Sequence, residues 1–232
     1  MHRFFILSLL CFFPLIAHAA DPLTVVSLGD SITRGVRSGV TEEQTFSWHL
    51  QRALLSKENP VSVRNVGVGG ERTDQALTRL DKDVLALKPR AVLVMYGHND
   101  SYVDVGESAP RISRDAYADN LRKLVRNIRN SGAVPVLMTP PAYSTGNKNG
   151  IGMDPDILLE DYARTVRDVA AELKVPLVDH YLVWRKRRDG GEEIRTLTTD
   201  GYHPNPAGHK LMAETILPTL REVLDAKSVQ SP

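Results

Sequence analysis

At 232 residues, 42% hydrophobic and 25% charged, the chain has enough apolar material for a sizeable core and falls outside the disordered and fibrous classes. A net charge of +1 gives no reason to expect nucleic acid as a partner. One cysteine, Cys11, excludes a disulfide-stapled fold.

The N-terminal segment reads apart from the rest. Met1-His2-Arg3 is a short basic start, Phe4 to Ile16 is an almost unbroken apolar run, and Ala17-His18-Ala19 fits the small-x-small cleavage rule. This predicts a secretory signal peptide over residues 1–19, with Ala20 as the new N-terminus, and a single domain over 20–232. The apolar run is short for a bilayer span, so no stable membrane anchor is expected. Leu10 precedes Cys11 where a lipoprotein anchor wants a small residue. Cleavage removes Cys11 and Arg3, leaving no thiol and a net charge of about zero. A secreted or periplasmic protein, bacterial in character, is the expectation.

Thr24 to Leu28 is a short apolar run ended by Gly29, which predicts a buried strand. Thr41 is placed to cap a helix through Lys57, with Glu42 and Glu43 in its first turn. Trp48 lies within that helix and is expected in the core. Val61 to Val66 predicts a second strand, and Thr73 to Leu87 a helix with Leu77, Leu80 and Val84 on one face. Ala91 to Tyr96 predicts a third strand, buried on both sides. Asp115 to Asn130 carries Leu121, Leu124 and Ile128 at helical spacing. Val134 to Met138 predicts a fourth strand, stopped by Pro140-Pro141. Asp156 to Leu173 predicts a helix and Pro176 to Val178 a short fifth strand. A last helix runs from Pro206 to Ala226, capped by Asn205. Alternating strands and helices imply right-handed crossovers and a parallel sheet covered on both faces, an α/β fold. Two long loops, Ser101 to Ser113 and Pro141 to Pro155, follow strands and so belong at the sheet's carboxyl edge.

Four blocks carry chemistry. Gly29-Asp30-Ser31-Ile32-Thr33 puts a serine directly after the first strand, at a helix start, where its hydroxyl can face a cleft. Asp200-Gly201-Tyr202-His203 puts a carboxylate and an imidazole three residues apart on one turn, close enough for the acid to hold the ring in one tautomer. Pro204 pushes His203 out of the helical region. Asn65-Val66-Gly67-Val68-Gly69-Gly70-Glu71-Arg72 lets a backbone N–H approach a reacting oxygen. A dinucleotide fingerprint there would need a third glycine at Arg72. Gly97-His98-Asn99-Asp100 offers a side-chain amide at the third strand's end. No G-x-S-x-G elbow and no H-E-x-x-H zinc spacing occurs.

Taken in chain order, the four blocks resemble those of the SGNH/GDSL hydrolase family over essentially the whole mature chain. The resemblance implies a flavodoxin-like three-layer αβα sandwich around a five-stranded parallel sheet. It implies Ser31 as nucleophile, Asp200 and His203 as its triad partners, and an oxyanion hole from Ser31, Gly70 and Asn99. Gly67 and Gly69 lie close enough to leave the backbone donor open among the three. No cofactor and no metal is implied. The expected partners are small-molecule or glycan esters. The Gly-His-Asn-Asp block is similar to the form found in some carbohydrate acetylesterases, which favours O-acetyl or short-chain esters. A lysophospholipase or acyl thioesterase, or a non-catalytic glycan binder, is the alternative. Val103, Val105, Ile151 and Met153 are candidates for a short acyl pocket. Arg72 is expected to bind substrate or form a surface ion pair, and Arg185 to Arg188 to form a solvated face.

Overall fold

A computed structural model of the protein describes residues 22–56 and 60–228; the predicted signal peptide lies outside them, as does Lys57. Five parallel strands, β1 (Leu23–Gly29), β2 (Val61–Asn65), β3 (Ala91–Met95), β4 (Val134–Thr139) and β5 (Leu177–Asp179), form one sheet in the order β2-β1-β3-β4-β5. Each lies within a residue or two of its expected span. Successive side chains alternate between two cores, as the period of a strand demands. Val25, Leu93, Val136 and Met138 enter one, while Val26, Val92, Val94 and Leu137 enter the other.

Helices cover both faces. They are α1 (Ser31–Arg34), α2 (Phe46–Ala53), α3 (Thr73–Arg79), α4 (Arg114–Asn130), α5 (Pro155–Leu173), α6 (His180–Asp189) and α7 (Pro206–Ser228). Residues of α2, α6 and α7 fill the first core, and residues of α3 and α4 the second. The α5 helix feeds both, Leu159 and Ala163 into one and Tyr162 and Val166 into the other. The result is the three-layer αβα arrangement. Helix starts follow capping chemistry: Asn205 Oδ1 accepts from Ala207 N at 3.0 Å and Gly208 N at 3.1 Å, with Pro206 at the first helical position.

Three expectations need correction. The helix expected over Thr41 to Lys57 is a single 3-10 turn, Glu42–Gln44, a break at Thr45, and then α2. Thr45 is extended and its hydroxyl accepts from Trp48 N at 3.3 Å, starting a new helix. That restart sets the phase, so Phe46 and Leu50 are fully buried and Trp48 is only half-buried. The helix expected over Thr73 to Leu87 passes through a π turn, Leu80–Val84, and a 3-10 turn, Leu85–Leu87. The extra residue of the wide turn leaves Leu80 and Val84 buried while Leu77 is only half-buried. The α6 helix was not expected. It begins directly after β5, where Asp179 accepts from Leu182 N at 3.0 Å, and it buries His180, Tyr181 and Trp184. Its basic run is not simply solvated: Arg188 meets the buried Asp156 at 3.0 Å, Arg185 meets Glu160 at 3.2 Å, and Arg187 meets Glu192 at 2.7 Å.

Trp184 is completely buried in the first core and docks α6 on the sheet. Trp184→Ala is expected to lower the unfolding free energy by about 3–5 kcal/mol. Urea denaturation followed by circular dichroism measures it, and a loss below ~1 kcal/mol would show that α6 docks without that side chain.

Candidate active site

The chain runs from β1 outward to β2, then crosses back to β3 on the other side of β1. Such a reversal opens a crevice at the carboxyl ends of the two strands. Gly29 ends β1 in that crevice, and a Cβ there would fall 2.5 Å from the Met95 carbonyl oxygen of β3. The absence of a side chain lets the turn pass. Asp30 Oδ1 then accepts from Ile32 N at 2.9 Å and caps α1, making Ser31 its first residue.

The loop before α7 meets this serine. Ser31 Oγ lies 2.9 Å from His203 Nε2, and His203 Nδ1 lies 2.8 Å from Asp200 Oδ2. The other carboxylate oxygen accepts from His203 N at 3.0 Å, so one acid orients both ring and backbone. With the Nδ1 proton donated to Asp200, Nε2 offers its lone pair to the hydroxyl. Burial lowers the His203 pKa below its ordinary 6.5, against the raising effect of Asp200, so the ring is neutral near pH 7. Burial alone would raise Asp200. The His203 hydrogen bonds, its charge and Arg37 outweigh that and hold the carboxyl below its ordinary range.

The glycine block faces the same crevice. Gly67 is a packing glycine: a Cβ would sit 2.2 Å from Arg34 N. Gly69 lies beside the Arg34 guanidinium, where a Cβ would be 3.0 Å from Nη1. Gly70 adopts φ +76° with open space around its Cα, a conformation that glycine takes without cost. Gly69 and Gly70 line the hollow beside Ser31; Gly67 does not. The Asn99 amide donates to Glu71 O at 3.1 Å and to Asp30 Oδ2 at 3.3 Å, and its oxygen accepts from Arg111 at 3.4 Å. Burial raises Asp30 to about 7 and Asp100 to about 6. Asp100 Oδ1 is held by Thr73 N at 2.9 Å and Thr73 Oγ1 at 2.6 Å.

Ser31 sits between two hollows. One, of about 340 Å³, includes Arg34, Arg37, Gly70, Asn99 and His203. The other, of about 480 Å³, includes Tyr102, Asp104, Arg111, Tyr143, Asn147 and Lys148. Tyr202 borders both and stands 4.2 Å, centroid to centroid, from the His203 ring. His98 is buried against Tyr143, donates Nε2–H to Pro141 O at 2.8 Å, and is driven by burial to a pKa of about 3. It is a neutral wall of the cleft. A hydroxyl bonded to a neutral imidazole, in a hollow that Gly70 and Asn99 also line, suits acyl transfer.

The sequence profile described as the GDSL-like Lipase/Acylhydrolase family matches residues 27–211. The chain belongs to this family. The protein is therefore a carboxylic ester hydrolase, in keeping with its named esterase relatives. The uncharacterized lipoprotein YqeF of Bacillus subtilis is 28% identical over 93% of this chain and 97% of its own length. The acetylxylan esterase of Geobacillus stearothermophilus is 29% identical over 68% of this chain and 71% of its own. The crystal structure of the lipase/acylhydrolase from Enterococcus faecalis superposes with a TM-score of 0.70 at 24% identity, covering 86% of this chain and 95% of that one.

Sequence reasoning about this GDSL-like hydrolase missed two contributors. Arg37 Nη2 lies 2.8 Å from Asp200 Oδ2, the oxygen that also accepts from His203. No motif announces it, because Arg37 lies in an irregular segment outside the four blocks. The second long loop supports the Asp200–His203 turn: Ser144 N donates to Gly201 O at 2.7 Å, and Asn147 Nδ2 reaches the same oxygen at 3.2 Å. The proposed acyl pocket does not form from the four residues named for it. Val103 is buried, while Val105, Ile151 and Met153 face solvent, and none of the four lines either hollow. A loop folds its backbone over the structure, and small apolar side chains there need not point at the cleft. Arg72 is paired with Asp74 at 3.0 Å, outside both hollows.

Hydrolysis that used neutral His203 as its base would fail on the acid side of the His203 pKa. Arg37 lowers that pKa, and Arg34 does so more weakly. Arg37→Gln removes a cation, eases protonation of the ring and moves the acid limb of kcat/KM to higher pH. A pH–rate profile on 4-nitrophenyl acetate measures the midpoint, and an unmoved or lowered midpoint contradicts the assignment.

Proposed function

We propose that the protein is an exported serine ester hydrolase acting on short-chain esters, with O-acetyl esters of carbohydrate as its substrate class. The observation that carries this reading is the unbroken hydrogen-bond chain from Ser31 through His203 to Asp200. Ser31 Oγ attacks the ester carbonyl carbon while His203 Nε2 takes the hydroxyl proton. The oxyanion accepts from the N–H groups of Ser31 and Gly70 and from the Asn99 amide, which gives up its long 3.3 Å contact with Asp30. Collapse expels the alcohol, which leaves with the proton from His203. Water then attacks the acyl-enzyme, His203 takes its proton, and collapse returns that proton to Ser31 as the carboxylic acid departs.

The substrate class rests on the lining of the two hollows, which is polar and aromatic rather than aliphatic. A long acyl chain would need apolar walls to gain from burial. The likeness to an acetylxylan esterase supports the same choice. Export rests on the sequence pattern of residues 1–19, with the family domain following it, and on the likeness to a lipoprotein. Among the described residues no helix is long and apolar enough to cross a membrane.

A fluorophosphonate probe is expected to label the wild-type protein and not Ser31→Ala. A folded wild-type protein that resists labelling would favour a glycan binder on the same scaffold. Asn99→Ala is expected to lower kcat by ~10²–10³ with folding retained, and an unchanged rate removes Asn99 from the oxyanion hole. In a panel of 4-nitrophenyl esters, acetylated xylan and lysophosphatidylcholine, the acetyl substrates are expected to lead. Preference for octanoyl or longer chains overturns the acetyl assignment in favour of a lipid hydrolase.

A further inference from the structure

A third hollow, of about 460 Å³, continues the catalytic cleft away from Ser31. Arg34 joins the two, because it borders both this hollow and the one that holds Ser31 and His203. The walls come from α2, from the edge strand β2 and from the residues after α1. Gln51 of α2 fastens the two main walls together: its Nε2 donates to Val61 O at 2.8 Å and its Oε1 accepts from Val63 N at 2.7 Å. These bonds satisfy backbone groups on the free side of β2, so that stretch is not open for pairing with another strand.

The lining has a particular chemistry. Trp48 is half-buried and borders the hollow, with the Arg52 guanidinium 5.5 Å from its ring centroid. Around it stand Glu42, Arg64, Asn65 and Arg34. Neither Arg34 nor Arg64 has an ion-pair partner among the described residues. An indole beside uncommitted guanidinium and carboxylate groups suits a ligand with an apolar face and a rim of hydroxyls. A lipid chain would gain little from burial against this exposed, largely polar rim. A pyranose ring has C–H groups for the indole and hydroxyls for the rim.

We propose that the hollow between α2 and β2 is a second sugar-binding subsite, where Trp48 carries a ring of the same glycan whose ester is cleaved at Ser31. The inference rests on the glycan-ester reading above and sharpens it: the preferred substrate is an oligosaccharide long enough to reach Trp48.

The chain has two tryptophans, and Trp184 is fully buried in the core. Emission changes caused by a sugar in this hollow therefore report Trp48. Titration of the Ser31→Ala protein with unacetylated xylohexaose is expected to give a saturable change in emission that is lost when Trp48→Phe is added. An unchanged spectrum at millimolar xylohexaose, or an equal change with Trp48→Phe, overturns the subsite. In the active enzyme, the kcat/KM ratio for acetylated xylohexaose over 4-nitrophenyl acetate is expected to fall about ten-fold in Trp48→Ala, or roughly 1.4 kcal/mol of binding. Trp48→Phe, which keeps an aromatic face, retains most of the ratio. A ratio that Trp48→Ala leaves unchanged also overturns the proposal. Failure of the wild-type protein to hydrolyse 4-nitrophenyl acetate counts against the esterase reading alone, and the emission titration still decides the subsite.

Discussion

The 2.9 Å contact between Ser31 and His203 joins residues 172 positions apart, and the surrounding structure is what makes it affordable. Closing so long a loop costs chain entropy that two groups could not recover by themselves. The two cores on either side of the sheet bear that cost by burying the faces of β1 and β3 and the helices over them. At one end, the capped turn after β1 fixes Ser31 at the crevice. At the other, the Asp200–His203 turn is held by Thr199 N to His203 O at 2.8 Å and by the Ser144 bond to Gly201. The start of α7 follows at once, capped by Asn205.

Carboxyl groups in one small region have their pKa values moved in opposite directions by their surroundings. Asp30 and Asp100 lie under the cleft, where burial raises both. Asp200 receives hydrogen bonds from the ring and the backbone of His203 and a salt bridge from Arg37, and it stays ionised. A carboxylate held in its ionised form thus sits behind the imidazole, where it can support an imidazolium. His98 contributes no competing charge, because burial keeps it neutral against the opposing pull of its bond to Pro141.

Much of the fold is legible because fully covered parallel strands read as short, nearly continuous apolar runs. Ala91 to Met95 is such a run, and the expected span overshoots it only by Tyr96. The helices α4, α5 and α7 carry apolar periodicity and caps, and their spans match expectation to within a residue or two. The α6 helix escaped notice because its second half is basic and its buried residues, His180, Tyr181 and Trp184, form no repeating stripe. The break at Thr45 escaped notice because the helical pattern runs on through it. A hydroxyl that bonds backbone N–H can end one turn and start another at little cost, and only the packing of Phe46 and Leu50 selects that outcome.

The sequence by itself determined the strand–helix alternation, the four blocks of reactive residues, and the attachment of three of them to strand ends and of the fourth to the loop before the last helix. Those depend on local propensity, on hydrophobic period and on residue chemistry, all of which are properties of neighbours along the chain. The tertiary structure alone decided that Arg37 shares the Asp200 carboxylate, that the 141–155 loop braces the His203 turn, and that Trp48 faces a hollow instead of the core. Each of those is a contact between segments with no sequence relation to one another. Their distances are set by how the helices settle on the sheet, which many side chains decide jointly.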